Sequence, residues 1–286
     1  MQYFTQQLFA DADNPYADAR YVIYGVPYDG TVSYMPGTRL GPRAIRDVSY
    51  NFESYLPDFD LDLLDVPVAD LGDIEPFSLP DDVVEQVELA VHEFHRDGKL
   101  PIMIGGEHSV TPGAVKVLKP ACYLVCDAHL DLRDEYGGTS DSHACATRRV
   151  MDCGVEDVYI IGARSGTKEE YELAKDLHLY SAEDVRRLGI DKVIDEIRTS
   201  VGDRSLYLSV DADGIDCCLT PGLGTPEPFG LTPLDVRDVV RAFAPAAVGF
   251  DYVEVCPNDS GQTAAVAARI IRDFIAAHWC SEHPGL

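Results

Sequence analysis

Apolar residues in this chain fall into short runs of strand length separated by longer amphipathic stretches. The runs Tyr21–Val26, Leu61–Val68, Pro101–Ile104, Cys122–Cys126, Val158–Ile161, Leu206–Val210 and Ala247–Val255 are nearly continuous and rich in β-branched and aromatic residues, as buried strands are. Between them, Asp81–Arg96 sets Val83, Val84, Val87, Val91 and Phe94 on one helical face, and Thr263–Trp279 does the same with Val266, Ile270, Ile271, Phe274 and Ile275. Alternating strands and helices predict an α/β fold with a mostly parallel sheet flanked by helices, whose ligands sit outside the carboxyl ends of the strands. No linker, repeat or biased segment interrupts the pattern, so residues 1–286 read as one domain. Two Gly- and Pro-containing segments, Tyr24–Pro42 and Thr220–Pro233, are too long for simple turns and read as loops over a functional face.

Charge narrows the partners. The 49 acidic residues outnumber 23 Lys and Arg, giving a net charge of −26. Such a surface repels a phosphate backbone or an anionic bilayer, so no nucleic acid and no membrane is expected, and most of the carboxylates read as a solvated surface. The first nineteen residues lack Lys and Arg and carry no apolar run of signal-peptide length, and no stretch approaches the ~18 apolar residues of a membrane span, which together point to the cytoplasm. The eight Cys show no Cys-x-x-Cys spacing and are expected to be reduced, mostly buried thiols.

The chemistry lies where the apolar runs stop. Cys122–Cys126 is followed by Asp127-Ala-His129-Leu-Asp131, and extended backbone would point those three side chains the same way. Leu206–Val210 is followed by Asp211-Ala-Asp213, and Pro101–Ile104 by Gly105-Gly106-Glu107-His108-Ser109. Four carboxylates crowded at one sheet edge would force some to stay protonated unless cations fill the site. Two divalent ions would neutralise Asp127, Asp131, Asp211 and Asp213, with His108 and His129 as neutral ligands, and a water shared by both ions could lose a proton near neutral pH. Oxygen-rich ligation with imidazole and no thiolate favours Mn²⁺ over Zn²⁺, with iron, cobalt or nickel as possible substitutes.

Taken in order, Gly25-Val-Pro-Tyr-Asp29, Gly37-Thr-Arg-Leu-Gly-Pro42-Arg-Ala-Ile-Arg46, Gly105-Gly-Glu-His108-Ser109, Asp127-Ala-His129-Leu-Asp131, Ser209-Val-Asp211-Ala-Asp213-Gly-Ile-Asp216, Gly224-Thr-Pro-Glu227 and Asp251-Tyr-Val-Glu254-Val-Cys-Pro257 resemble the ureohydrolase family of arginases and agmatinases, most closely the agmatinases. The resemblance spans nearly the whole chain. It implies a single three-layer α/β/α domain of arginase-like form, two Mn²⁺ per subunit, and hydrolysis of a small cationic guanidinium substrate to urea and an amine. By the family's pattern His108, Asp127, Asp131 and Asp211 would hold one ion and Asp127, His129, Asp211 and Asp213 the other. His143, in Ser142-His143-Ala-Cys-Ala-Thr-Arg148-Arg149, stands where the family has a mobile active-site His, and would carry a proton to the leaving amine. Glu254 would accept paired N–H bonds from the planar guanidinium. Asp251 would support a metal-bound His from behind, though which one the sequence leaves open. The family's usual trimers and hexamers imply a homo-oligomer.

The substrate is expected to be agmatine. Arginases follow the Asp-x-His-x-Asp segment with small polar residues that bind the α-carboxylate and α-amine of arginine, whereas this chain has Leu132-Arg133-Asp134-Glu135-Tyr136. Asp134, Glu135 or Glu227 could neutralise a distal ammonium. Arg133 would instead suit a guanidino acid such as guanidinobutyrate if it pointed inward unpaired. N-aminopropylagmatine is a further alternative, and an inactive metal-binding regulatory homologue is the alternative of another class, although no ligand, shuttle or substrate Glu is missing. A nucleotide site at Gly105-Gly106 is excluded by the lack of a Gly-rich fingerprint or P-loop Lys. Two departures from the family stand out: Cys217-Cys218 replaces a Pro and a small residue, and Glu107 replaces the commoner Asp, a change read as harmless. His92, His95, His178, His278 and His283 are expected on the surface or on helix flanks.

Overall fold

The structure, a computed structural model, describes residues 7–75 and 79–285. In chain order these form β1 (Tyr21–Gly25), α1 (Gly41–Ser49), the short pair β2 (Tyr55–Leu56) and β3 (Leu61–Asp62), β4 (Val68–Asp73), α2 (Pro80–Arg96), β5 (Leu100–Ile104), α3 (Thr111–Leu118), β6 (Cys122–Cys126), α4 (Ala146–Asp152), β7 (Asp157–Ala163), α5 (Lys168–Leu173), β8 (His178–Ser181), α6 (Ala182–Leu188), α7 (Ile190–Val201), β9 (Leu206–Asp211), α8 (Pro233–Phe243), β10 (Ala247–Val253) and α9 (Gln262–Glu282). Eight strands make one sheet in the order β4-β1-β5-β10-β9-β6-β7-β8, with parallel pairing throughout.

Helices cover both faces, which produces three layers and explains the continuous apolar runs. In β1, Tyr21 and Ile23 join the core beneath α1 and α6–α9, while Val22 and Tyr24 join the core beneath α2 and α3. The start of α2 follows from Pro80 in its first turn with Asp81 and Asp82 beside it, and its end carries Arg96 in the last turn, where the guanidinium charge complements the helix dipole. Among the described residues no helix is long and apolar enough to cross a membrane. All eight cysteines are free; Cys122, Cys126, Cys145 and Cys256 are buried, and Cys218 is exposed.

Two expectations about the fold need correction, and one strand was not predicted. The run Leu61–Val68 is not one strand: Asp62 accepts the Leu64 N–H at 3.1 Å and caps a 3₁₀ turn at Leu63–Asp65, so that the sheet strand begins only at Val68. Strand β8 went unread because His-Leu-Tyr-Ser at a half-buried sheet edge is neither apolar throughout nor long. His278 is buried rather than superficial, because α9 is packed around most of its circumference; its Nδ1 lies 2.9 Å from the Tyr21 hydroxyl.

Candidate functional site

Four adjacent central strands, β5, β10, β9 and β6, end at one place, and their carboxyl ends deliver the predicted residues. After β5 the chain must turn tightly against its neighbours: a Cβ on Gly106 would lie 1.8 Å from the Tyr28 carbonyl oxygen, and one on Gly105 2.5 Å from Val253 Cγ1. That turn brings buried His108 inward, with Nδ1 at 3.2 Å from Asp127 Oδ2, 3.3 Å from Asp131 Oδ2 and 3.3 Å from Asp211 Oδ2. His129 Nδ1 lies 3.1 Å from Asp213 Oδ2 and 3.7 Å from Asp127 Oδ1. Donor atoms of His108, Asp127 and Asp131 fall within 4.8 Å of one another, and so do those of Asp127, His129 and Asp213. Asp127 therefore faces both groups.

The convergence does not come from extended backbone. Strand β6 ends at Cys126, the chain bends at Ala128–His129, and Asp131 adopts a left-handed φ of 51° that swings its carboxylate back. Asp211 ends β9 and accepts the Asp213 N–H at 2.8 Å, which closes a 3₁₀ turn and aims Asp213 beside its neighbour.

Behind His108 lies a polar column. Its Nε2 sits 3.2 Å from both Ser209 Oγ and Tyr123 OH, and buried Asp251 accepts from Ser209 at 2.5 Å, Tyr207 at 2.8 Å and Thr111 at 2.8 Å. Asp251 thus serves His108 through Ser209 rather than directly. With Nε2 held on these hydroxyls, Nδ1 is left with its lone pair toward the carboxylates. Both His108 Nδ1 and Asp127 Oδ2 are buried with no hydrogen-bond partner, a costly arrangement that a shared cation would relieve.

The electrostatics agree. Burial and the charge of Asp127 push the Asp131 carboxyl up to about 6, and burial with Asp213 and Asp127 pushes Asp211 well above the carboxylate range. Asp213 is held low in spite of burial, because His129 pairs with it. Crowded acids that retain protons when no cation balances them, and a set of hard oxygen and imidazole donors, fit divalent metal ions.

A cavity of about 270 Å³ opens over the cluster, its walls including His129, Asp131, Arg133, Tyr136, His143 and Glu254. Glu254 follows β10 with a left-handed φ of 63° and accepts the His108 N–H at 2.8 Å. Burial and nearby Glu107 raise its pKa well above the usual range. His143 packs edge-on to the Tyr136 ring at 5.7 Å, and burial, followed by the charges of His129 and His108, lowers its imidazole to about 4.

A sequence model of the Arginase family matches residues 19–277. The chain is 39% identical over 265 residues to an N(1)-aminopropylagmatine ureohydrolase of Thermococcus kodakarensis, covering 91% of each protein. It is 39% identical over 258 residues to an agmatinase of Pyrococcus horikoshii, covering 88% of this chain and 89% of that one. Its fold overlays the crystal structure of the agmatine ureohydrolase of Thermoplasma volcanium with a TM-score of 0.93 and 42% identity, over 98% of both chains. The chain belongs to the arginase family.

In this arginase-family chain the residues that follow the Asp127–Asp131 motif are paired or turned outward. Arg133 Nε lies 3.6 Å from Glu170 Oε2, and its guanidinium covers the Tyr136 ring at 4.7 Å, so it is paired rather than free. Asp134 pairs with Arg149 at 2.9 Å and points outward, and Glu135 is exposed. Glu227 Oε1 lies 3.7 Å from His129 Nε2, at the edge of the cluster. Cys217 and Cys218 occupy a turn closed by the Leu219 N–H on Asp216 O at 2.8 Å.

Sequence reading missed Glu170, Thr225 and Thr31. Glu170 is buried, closes a capping box with Thr167 and accepts the Leu132 N–H at 3.1 Å. Thr167-x-x-Glu170 is a capping signature visible in the sequence, but nothing local says that the helix it starts borders the cavity. Thr225 donates to Asp213 at 3.1 Å from within the Gly224-Thr-Pro-Glu227 motif.

Proposed function

We propose that this chain hydrolyses agmatine to putrescine and urea at the cavity above the carboxylate cluster. The chain is a hydrolase of linear guanidino compounds, and the observation that carries the substrate is the pairing of Arg133. A guanidino acid needs a free cation at the distal end of the pocket, whereas here the cation bordering it is stacked on Tyr136 and faces Glu170, and the small polar residues that would bind the α-substituents of arginine are replaced by Leu132-Arg133-Asp134-Glu135-Tyr136. An ammonium tail would instead be balanced by Glu227, at the edge of the cluster.

His108, Asp127, Asp131 and Asp211 would hold one divalent ion, and Asp127, His129, Asp211 and Asp213 the other, with Mn²⁺ as first choice. When bound, the pair would supply Lewis acidity and lower the pKa of a water between them. Glu254, directed into the cavity from the end of β10, accepts guanidinium N–H groups and turns the central carbon toward the cluster. His143 Nε2 takes up a proton and returns it to the departing amine, without which putrescine cannot leave as a neutral group.

A second substrate reading has its own support. A neighbouring cavity of about 430 Å³ shares Arg133, Thr167 and Glu170 with the first and is lined beyond them by Asp134, Glu135 and Glu169, which outnumber the one further cation, Arg148, and by Leu132 and Leu173. That acidic extension would accommodate the further ammonium of N-aminopropylagmatine. We also take the protein to be a one-domain cytoplasmic homo-oligomer, a trimer or hexamer.

Urea release from agmatine, N-aminopropylagmatine, arginine and guanidinobutyrate at equal concentration tests the reading. Preference for either amine-tailed substrate is expected, and preference for arginine would overturn it. Chelation should abolish the activity and Mn²⁺ restore it.

A further inference from the structure

Glu107 is buried, and its carboxylate reaches the loop after β1. Oε2 accepts the Thr31 N–H at 2.8 Å, while Oε1 accepts the Thr31 hydroxyl at 2.6 Å and the Ser109 hydroxyl at 2.6 Å. The Thr31 oxygen in turn accepts the His143 backbone N–H at 3.0 Å and lies 3.1 Å from His143 Nδ1. A hydroxyl has one proton to give, and here the carboxylate claims it at short range. Toward His143 the Thr31 oxygen can then only accept, so its hydrogen bond to Nδ1, shorter than the 3.4 Å to the other neighbouring hydroxyl, Ser142 Oγ, requires the proton to be on Nδ1. Nε2, 3.3 Å from Ser33 Oγ on the cavity wall, keeps its lone pair.

We propose that Glu107, acting through Thr31, is a positioning residue that fixes the Nδ1–H tautomer of His143 and leaves Nε2 as the atom that accepts a proton in the cavity. The inference rests on His143 being the proton carrier. It also gives Glu107 a purpose that the sequence reading withheld. The loop from Val26 to Gly37 has no regular secondary structure, and this side chain ties it down at both a backbone and a side-chain atom. An Asp here would end about 1.5 Å short, the length of one C–C bond, and could not hold Thr31 at these distances without the loop moving. Glu107→Gln would set an amide N–H₂ against one of three donors.

The test is a double-mutant cycle with a spectroscopic readout, using the metal-loaded enzyme. Glu107→Gln and Thr31→Val should each lower kcat by about 10- to 100-fold, with KM changed by less than about threefold, since positioned acid–base groups contribute about 10²- to 10⁴-fold. Metal content and melting temperature should hold, and Thr31→Ser should stay within about threefold of wild type because it keeps the hydroxyl. In a His143→Ala background, Glu107→Gln should change kcat by less than about twofold, because coupled residues are not additive. An equal loss with and without His143 would show that Glu107 acts elsewhere and would overturn the proposal. Nitrogen-15 spectra of histidine-labelled protein loaded with a diamagnetic divalent ion should show His143 as Nδ1–H in wild type and as Nε2–H or a mixture in Thr31→Val. Nε2–H in wild type would overturn it equally. If His143→Ala leaves turnover unchanged, the proton-carrier reading fails by itself, and the nitrogen-15 signature still decides whether Glu107 sets the tautomer. Thr31→Val, remote from the ligands, keeps the test open should Glu107→Gln fail to fold.

Discussion

Glu254 and Asp131 are both non-glycine residues with left-handed φ, 63° and 51°, and both point into the same cavity. That backbone region costs an ordinary residue of order 1–3 kcal/mol, and the surrounding strands must impose it. Since the Glu254 carboxylate already accepts the His108 N–H, Glu254→Gln keeps the shape and the acceptor oxygen but removes the charge that, on the proposed function, would meet the guanidinium. It should lower kcat/KM at least about 100-fold, as loss of a charge-assisted pair of about 3 kcal/mol would, while the metal content equals that of wild type. His143 carries a second prediction. Its imidazole titrates near 4 in the folded protein, below the ordinary value near 6.5. Between those values the unfolded chain binds a proton that the folded chain refuses. The stability tied to this site is therefore complete above about pH 6.5 and is lost as the pH falls toward 4. Melting curves from pH 7.5 to 5 should fall more steeply for wild type than for His143→Gln; parallel curves would refute the shift.

Secondary-structure elements explain why so much of the site was legible beforehand. Buried parallel strands must end where polar residues begin, so Glu107-His108, Asp127, Asp211 and Glu254 announce themselves by position along the chain. Their convergence depends on bends and 3₁₀ turns that aim Asp131 and Asp213, and no periodicity shows those. Thr31 was illegible for another reason: a loop residue whose only distinction is its partner 76 positions away leaves no local signal. Packing between elements makes its own prediction. Arg46 of α1 is buried and binds Asp70 in β4 through two bonds of 2.7 and 2.9 Å, with Asp73 and the Gly72 carbonyl at the same strand end. Arg46→Ala strands buried Asp70 without its counter-charge and should cost about 3–5 kcal/mol in urea denaturation. Arg46→Lys keeps the charge but not the fork, and should recover only part of that. A loss below about 1 kcal/mol for Arg46→Ala would mean that the network contributes little.

The charge of −26 belongs to the whole molecule, and only part of it is accounted for at the site. On the proposed function Asp127, Asp131, Asp211, Asp213 and Glu254 would balance ions and substrate, while acids such as Asp134, whose side chain is 84% exposed, lie on the surface. Surface charge acts at a distance set by salt: the Debye length is about 30 Å at 0.01 M and about 8 Å at 0.15 M. Near the lower value the whole negative face draws a cation toward the cavity, and near the higher one only the groups at its mouth do. The pull scales with substrate charge. Agmatine carries two positive charges and butylguanidine one, so raising NaCl from about 0.01 to 0.3 M should lower kcat/KM for agmatine by roughly the square of the factor seen for butylguanidine, if both bind in the same potential. The saturated rate, kcat, should change little, since at saturation the approach is already complete. Equal salt factors for the two substrates would show that the acidic surface serves solvation alone and that the cation is selected only by contacts inside the cavity.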